Sequence, residues 1–169
     1  PAGDTIPKHE EKSYNLFTMT YDSIKKFDIG SKGNASFPEQ RQFKTYKPLL
    51  PETIDSIENY VKSKNLDPVR YNIEIKSDVA EYEKSQPKPA EFVKAVMEIL
   101  EEKEIVSKIN IQSFDVNILE EMHRSYPEVT LAYLVGHGEF DENMEKISFK
   151  PAIYSPHYKL LDSMKVAKI

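Results

Sequence analysis

The chain has no cysteine, which excludes a disulfide framework, a thiol nucleophile and a thiolate zinc site. Tryptophan is absent as well. No apolar run approaches the roughly 20 residues that a membrane helix requires, and Pro1-Ala2-Gly3-Asp4 has neither the basic end nor the apolar stretch of a targeting signal. Any such signal is expected to have been removed or never included, and the missing initiator methionine fits a processed, cut or incomplete chain. A basic excess is lacking too: 23 Lys and Arg stand against 28 Asp and Glu, for a net charge of -5. Binding along a phosphate backbone needs the opposite balance and a basic run. The chain therefore reads as neither a nucleic-acid binder nor a membrane-spanning protein. What remains, 169 residues with 39% hydrophobic and 30% charged, is the composition of an ordinary soluble domain.

Residues 1–50 differ from the rest. They are polar, carry Gly30, Gly33 and prolines at 7, 38 and 48, and contain one short helical pattern, capped by Thr20 and ended by Gly30. A long irregular stretch is uncommon in a compact domain and, where ordered, usually has a role of its own. Its aromatics, Tyr14, Phe17, Tyr21, Phe27, Phe37, Phe43 and Tyr46, are too many for a disordered tail. Residues 1–50 are thus expected to form an ordered excursion that packs on the remainder.

From Pro51 to the end, 51–169, strand-like runs alternate with helical patterns. Pro51 opens a helix with Ile54, Ile57 and Val61 on one face. Asp67-Pro68 breaks the chain before a strand at 71–76. A second helix carries Phe92, Val93, Val96, Met97 and Leu100, and a second strand runs from Ile105 to Phe114. Asp115 is placed to cap a third helix bearing Ile118, Leu119 and Met122. Val129 to Val135 reads as a third strand, closed by Gly136-His137-Gly138, and Ile147 to Tyr154 as a fourth, before a last helix with Leu160, Leu161 and Met164 inward. Repeated βα units imply a parallel sheet with right-handed crossovers. A closed eight-stranded barrel uses ~250 residues, so the expected fold is α/β: parallel βα repeats, half of a barrel or a small open sheet, whose two edges a missing segment or another chain would cover.

Strands of parallel sheets are normally apolar on both faces, and two of these are not. In Asn72-Ile73-Glu74-Ile75-Lys76 alternation sends the isoleucines one way and Asn72, Glu74 and Lys76 the other; the next strand sends Asn110 and Gln112 to the same polar side and ends at Ser113 and Phe114. Leaving such groups unpartnered in an interior would cost ~1 to 3 kcal/mol each. Either a metal, water or substrate fills a site there, or Glu74 and Lys76 simply pair with each other. A carboxylate beside an ammonium suits a phosphate ester, the carboxylate holding a hard divalent cation and the lysine neutralising a phosphoryl oxygen. One carboxylate does not complete a magnesium or calcium sphere, so water, substrate and further acids must supply the rest.

These residues also carry a resemblance. The Asn72–Lys76 segment with Ile111-Gln112-Ser113-Phe114-Asp115 resembles the central part of the glycerophosphodiester phosphodiesterase family, supported by Lys47-Pro48-Leu49-Leu50, Ala132-Tyr133-Leu134 and Ile153-Tyr154-Ser155-Pro156. Met19-Thr20-Tyr21 through Asp28-Ile29-Gly30, with Phe37-Pro38-Glu39-Gln40, is similar to an insertion in some bacterial members. The resemblance implies a partial TIM barrel, about its fourth to seventh strands, and an enzyme that hydrolyses glycerophosphodiesters to sn-glycerol 3-phosphate and an alcohol with a divalent cation, Ca2+ or Mg2+. Under it Glu74 is a metal ligand, Lys76 lies near the phosphate, and Gln112, Ser113, Phe114 and Tyr154 line the substrate pocket. The family's histidine pair and its other acidic ligands would lie upstream of Pro1, and its tryptophan-bearing last strand beyond Ile169. This segment therefore carries no catalytic acid/base residue under that reading and is expected to be inactive alone, with the remainder of the barrel coming from missing segments. A non-catalytic binder of a phosphorylated ligand or partner is the alternative, and a barrel enzyme acting on a sugar phosphate or enolate a third. Lipid-derived substrates favour a periplasmic or secreted setting.

Other residues carry lesser expectations. His137 follows a strand at the end where barrel chemistry collects and either lines the site or is a solvated loop histidine; His9, His123 and His157 read as surface. Glu139, Asp141 and Glu142 read as a solvated connector, and Glu81, Glu83 and Lys84 as a loop able to meet a head group.

Overall fold

The structure is a computed structural model that describes residues 6–163 and Val166. Two compact units divide between Ile57 and Glu58, within a helix.

The first unit spans residues up to Ile57. Tyr14 meets Phe27 edge to face at 5.5 Å. A single helical turn, α1 (Tyr21–Ile24), starts after Thr20 and stops at Lys25, well before Gly30. The stop comes from Asp28, whose Oδ1 accepts the amides of Gly30 and Ser31, both at 3.0 Å, and bends the chain. These bonds, with the Ser31 side chain first among them, hold the Asp28 carboxyl far below the ordinary carboxylate range. Backbone pairs Ile29 N–H to Thr45 O (3.0 Å) and Phe43 N–H to Gly30 O (3.1 Å) then close the unit. Gly30 is required there, because a Cβ would strike the Phe43 carbonyl and the Thr45 methyl. Helix α2 (Leu50–Ser63) begins with Leu50-Pro51, where proline has no donor to lose, and buries Ile54.

In the second unit four parallel strands lie in sequence order, β1-β2-β3-β4. β1 (Tyr71–Glu74) leads through a loop to α3 (Pro89–Glu102), β2 (Ile109–Ser113) to α4 (Val116–Ser125), β3 (Thr130–Val135) to α5 (Phe140–Met144), and β4 (Ile153–Pro156) follows. Val93, Met97 and Leu100 on α3 and Ile118, Leu119 and Met122 on α4 are buried, as are Ile109, Ile111, Leu131, Tyr133 and Val135 on the sheet. This is one apolar layer between helices and strands, and each such side chain stabilises it by roughly 1.5 to 3 kcal/mol. The sheet remains open, a partial βα barrel.

Several boundaries differ from the expected ones. β1 ends at Glu74, although the Ile75 amide still reaches Gln112 O at 2.9 Å. β2 starts at Ile109 because Val106–Lys108 is a 3-10 turn, entered through Glu104 at φ 55. The fourth strand is Ile153–Pro156, not 147–154: Pro151 lacks the amide a ladder needs, and Phe149 lies against His123 instead (ring centroids 4.0 Å). The acidic connector is helical, its start stabilised by Glu142, which accepts the Glu139 amide at 3.3 Å. Where a last helix with Leu160, Leu161 and Met164 inward is expected, Tyr158–Leu160 forms a 3-10 turn and Leu161 is exposed, while Met164 lies outside the described residues.

Candidate functional site

Register decides which side chains share a face. Asn72 pairs with Asn110 and Glu74 with Gln112 on neighbouring strands, and Gln112 pairs in turn with Ala132. Partners in a parallel ladder point the same way, so Asn72, Glu74, Asn110 and Gln112 form one polar field on the side away from the buried isoleucines. The Asn110 side-chain amide donates to Asn72 Oδ1 at 2.6 Å. Glu74 is mostly covered, its side chain 24% exposed, and accepts from the Lys76 ammonium at 2.7 Å; Lys76 is 81% exposed. The pairing that could by itself explain two charges on one strand is therefore present. With the lysine in water it contributes at most ~1 kcal/mol, so an incoming anion or cation can separate the two at small cost.

The remaining candidates do not all join this field. Ser113 points to the opposite face, fully buried; its hydroxyl donates to the Ile75 carbonyl (2.7 Å) and accepts from the Asp115 amide (3.1 Å). Tyr154 is the register partner of Tyr133 on that same buried face, its ring 6.1 Å from Tyr133 and 4.9 Å from Phe140, with the Asn143 amide 3.4 Å from its hydroxyl. Alternation along β4 thus turns Tyr154 away from Glu74 and Gln112. Phe114 follows β2, is 57% exposed, and lies beside Gly136 at the end of β3. His137 is exposed after β3, while His9 lies 3.5 Å from Glu10, His123 stacks on Phe149, and His157 Nδ1 accepts the Lys159 amide at 3.3 Å. The loop residues are tied locally: Glu81 accepts from Ser85, Glu83 pairs with Lys88, and Lys84 donates to Ala80 O.

Two constellations had no counterpart in the sequence reading. At the strands' starts, Glu58 accepts from the Tyr71 hydroxyl (2.7 Å) and the Lys108 ammonium (3.1 and 3.2 Å), which lowers the Glu58 pKa. Burial first, and Glu58 second, push the Tyr71 hydroxyl up to about 12. At their ends, Asp115 not only caps α4, accepting the Asn117 amide at 3.0 Å, but also accepts from Ser77 (2.6 Å) and Tyr82 (2.5 Å). Burial, then that carboxylate, raises the Tyr82 pKa and keeps the phenol a donor. A groove of ≈ 860 Å³ beside α4 includes Lys88 and Arg124, but both cations are already engaged, by Glu83 and Glu121.

For a hard divalent cation the donor set fits in part. Glu74 supplies a carboxylate, and the neighbouring Gln112 and Asn110 carry amide oxygens of the right chemistry. Among the described residues no group of three His, Asp or Glu side chains converges into a complete metal site.

A four-stranded parallel βα sheet with its strands in sequence order is the architecture of a partial βα barrel. No family model matches the chain, and neither does any curated protein. Solved structures do. A protein from Silicibacter pomeroyi DSS-3 assigned as a glycerophosphoryl diester phosphodiesterase aligns at 23% identity and a TM-score of 0.69, over 89% of this chain and 53% of that one. An Oleispira antarctica phosphodiesterase, solved in complex with the product sn-glycerol-3-phosphate, aligns at 20% identity and 0.63, over 90% and 55%. A glycerophosphodiester phosphodiesterase from Parabacteroides distasonis ATCC 8503 aligns at 19% and 0.56, over 87% and 51%. The chain spans about half the length of each, and over that half it has the fold of these phosphodiesterases.

Proposed function

We propose that the chain contributes part of the active site of a metal-dependent phosphoric diester hydrolase acting on glycerophosphodiesters, with sn-glycerol 3-phosphate and an alcohol as products. The observation that carries this reading is the placement of Glu74 and Lys76 together at the carboxyl end of β1, on the polar side of the sheet. Glu74 would hold Ca2+ or Mg2+, with water, substrate and other acids completing the sphere. A cation bound there would polarise the phosphoryl oxygen. Lys76 leaves Glu74 and neutralises the charge that builds on the other phosphoryl oxygens. Gln112 offers its amide to the glycerol hydroxyls, and the exposed ring of Phe114 would lie against the bound substrate. Ser113 and Tyr154 support the site from the buried face. A periplasmic or secreted setting would suit lipid-derived substrates.

The same geometry supports a second reading, a non-catalytic module for a phosphorylated ligand, because no complete metal cluster forms among the described residues. Calorimetric titration with Ca2+ and sn-glycerol 3-phosphate, alongside glycerophosphocholine hydrolysis, separates the two. Binding that Glu74→Gln weakens, without turnover by this chain alone, fits the partial site; turnover at a full enzyme's rate shows the chain to be self-sufficient. Unaltered binding in Glu74→Gln removes Glu74 from the site.

A further inference from the structure

If the heads of Glu74 and Lys76 are to act at a fixed place, the chain must be held directly after them. The group that does so is Asp115, 7% exposed. Its two oxygens have different tasks. Oδ1 accepts the Asn117 amide and caps α4, while Oδ2 accepts from Ser77 Oγ and from the Tyr82 phenol. The loop it grips is closed on itself by Gln86: its Nε2 donates to Ser77 Oγ (2.8 Å) and Asp78 O (3.1 Å), and its Oε1 accepts the Asp78 amide (3.2 Å). Residues 77–86 thus form a compact loop with adjoining ends, a kind that frequently serves function.

Capping does not explain this arrangement. A cap needs one acceptor oxygen, and asparagine caps as well as aspartate. The second oxygen and the negative charge serve the loop instead, through charge-assisted bonds from two hydroxyls whose residues lie 38 and 33 positions away.

We infer that Asp115, acting through Ser77 and Tyr82, is a positioning residue that fixes the 77–86 loop and with it the bearing of Lys76. The inference rests on reading Glu74 and Lys76 as the phosphate-facing site.

Asp115→Asn is the informative variant, since its amide keeps the cap yet its NH2 cannot accept from Ser77 and Tyr82. Tyr82→Phe removes the same contact from the loop side, together with the weaker bond that the Asn117 side chain donates to the phenol (3.3 Å), and leaves the bond from the Asn117 backbone amide to Asp115 in place. In the full chain, amide hydrogen exchange by mass spectrometry reads the loop and α4. The acylation rate of Lys76 by an amine-reactive reagent, relative to Lys94 on α3, reads the lysine. Tyr82→Phe should speed exchange across 78–86 by ~10-fold, the factor that losing one charge-assisted hydrogen bond implies, and Asp115→Asn, which gives up the bonds from both Ser77 and Tyr82, by at least as much. Lys76 should acylate up to ~5-fold faster as its hold on Glu74 loosens, with Lys94 unchanged. The double variant should match Asp115→Asn rather than the product of the two single effects, because the Tyr82 contact is already lost there. Unchanged loop exchange and Lys76 rate in Asp115→Asn would overturn the inference and leave Asp115 a plain cap. Where Asp115→Asn also loosens α4, Tyr82→Phe decides by the same two readouts. If the variants respond in this way but the wild-type chain takes up no Ca2+ with sn-glycerol 3-phosphate, the phosphate-site reading is refuted and the anchoring is not.

Discussion

Replacing Ser113 by alanine removes a single oxygen atom and should cost several times what an ordinary surface substitution does. That oxygen is fully buried, gives its hydrogen to the Ile75 carbonyl at 2.7 Å, and takes the Asp115 amide at 3.1 Å. A buried polar group deprived of its partner costs ~1 to 3 kcal/mol; two such groups, partly relieved by relaxation, give about 2 to 4 kcal/mol. For a chain of this size each kcal/mol shifts the midpoint by about 2 to 4 °C, so calorimetry should show Tm lower by roughly 4 to 16 °C, and urea titration a lower midpoint with unchanged slope. Ligand affinity measured well below Tm should hold. A loss under ~0.5 kcal/mol, the range of ordinary surface changes, would refute the reasoning, as would a variant that folds normally but binds ligand far more weakly.

Further perturbations test other parts of the account. Tyr71→Phe removes the donor to Glu58 and should cost about 1 kcal/mol at neutral pH. Because the folded-state pKa of Tyr71 is raised to about 12 from 10.0, its contribution is complete below pH 10 and fades as pH rises toward 12. The wild type should therefore lose stability across that window more steeply than Tyr71→Phe in alkaline unfolding curves. Glu58, with its lowered pKa, contributes in the opposite sense: its part is present above the ordinary carboxylate range and is lost on acidification. Ile111→Ala, at a position of 0% exposure, should destabilise by ~2 to 5 kcal/mol in chemical denaturation; a smaller effect would mean the βα layer is not the core.

Period and punctuation made part of this structure readable from residues alone. The alternation in 71–76 and 109–113 survives in the register that pairs Asn72 with Asn110 and Glu74 with Gln112, because a two-residue period fixes the face whatever the exact strand ends. Asp115 could be seen as a cap from its place before an apolar helical run, and the structure has its side chain in that role. Its grip on Ser77 and Tyr82 could not, since nothing local in the sequence signals a bond across the β1 loop. The start of the fourth strand was not legible, because hydrophobic Ile147 and Phe149 suggest a strand yet are spent on packing before Pro151; the pocket role of Tyr154 came from the resemblance, and its pairing with Tyr133 puts it on the buried face. Helix α5 escaped notice for lack of an apolar stripe; it is held by its cap and by the buried Asn143, whose amide donates to His137 O and Glu139 O.

The most direct test is a crystal structure after soaking in Ca2+ and sn-glycerol 3-phosphate. The account predicts a cation on the Glu74 carboxylate and the phosphoryl group within hydrogen-bond distance of a Lys76 ammonium that has left Glu74. Density for both ligands elsewhere, with the Glu74–Lys76 pair intact, would contradict it.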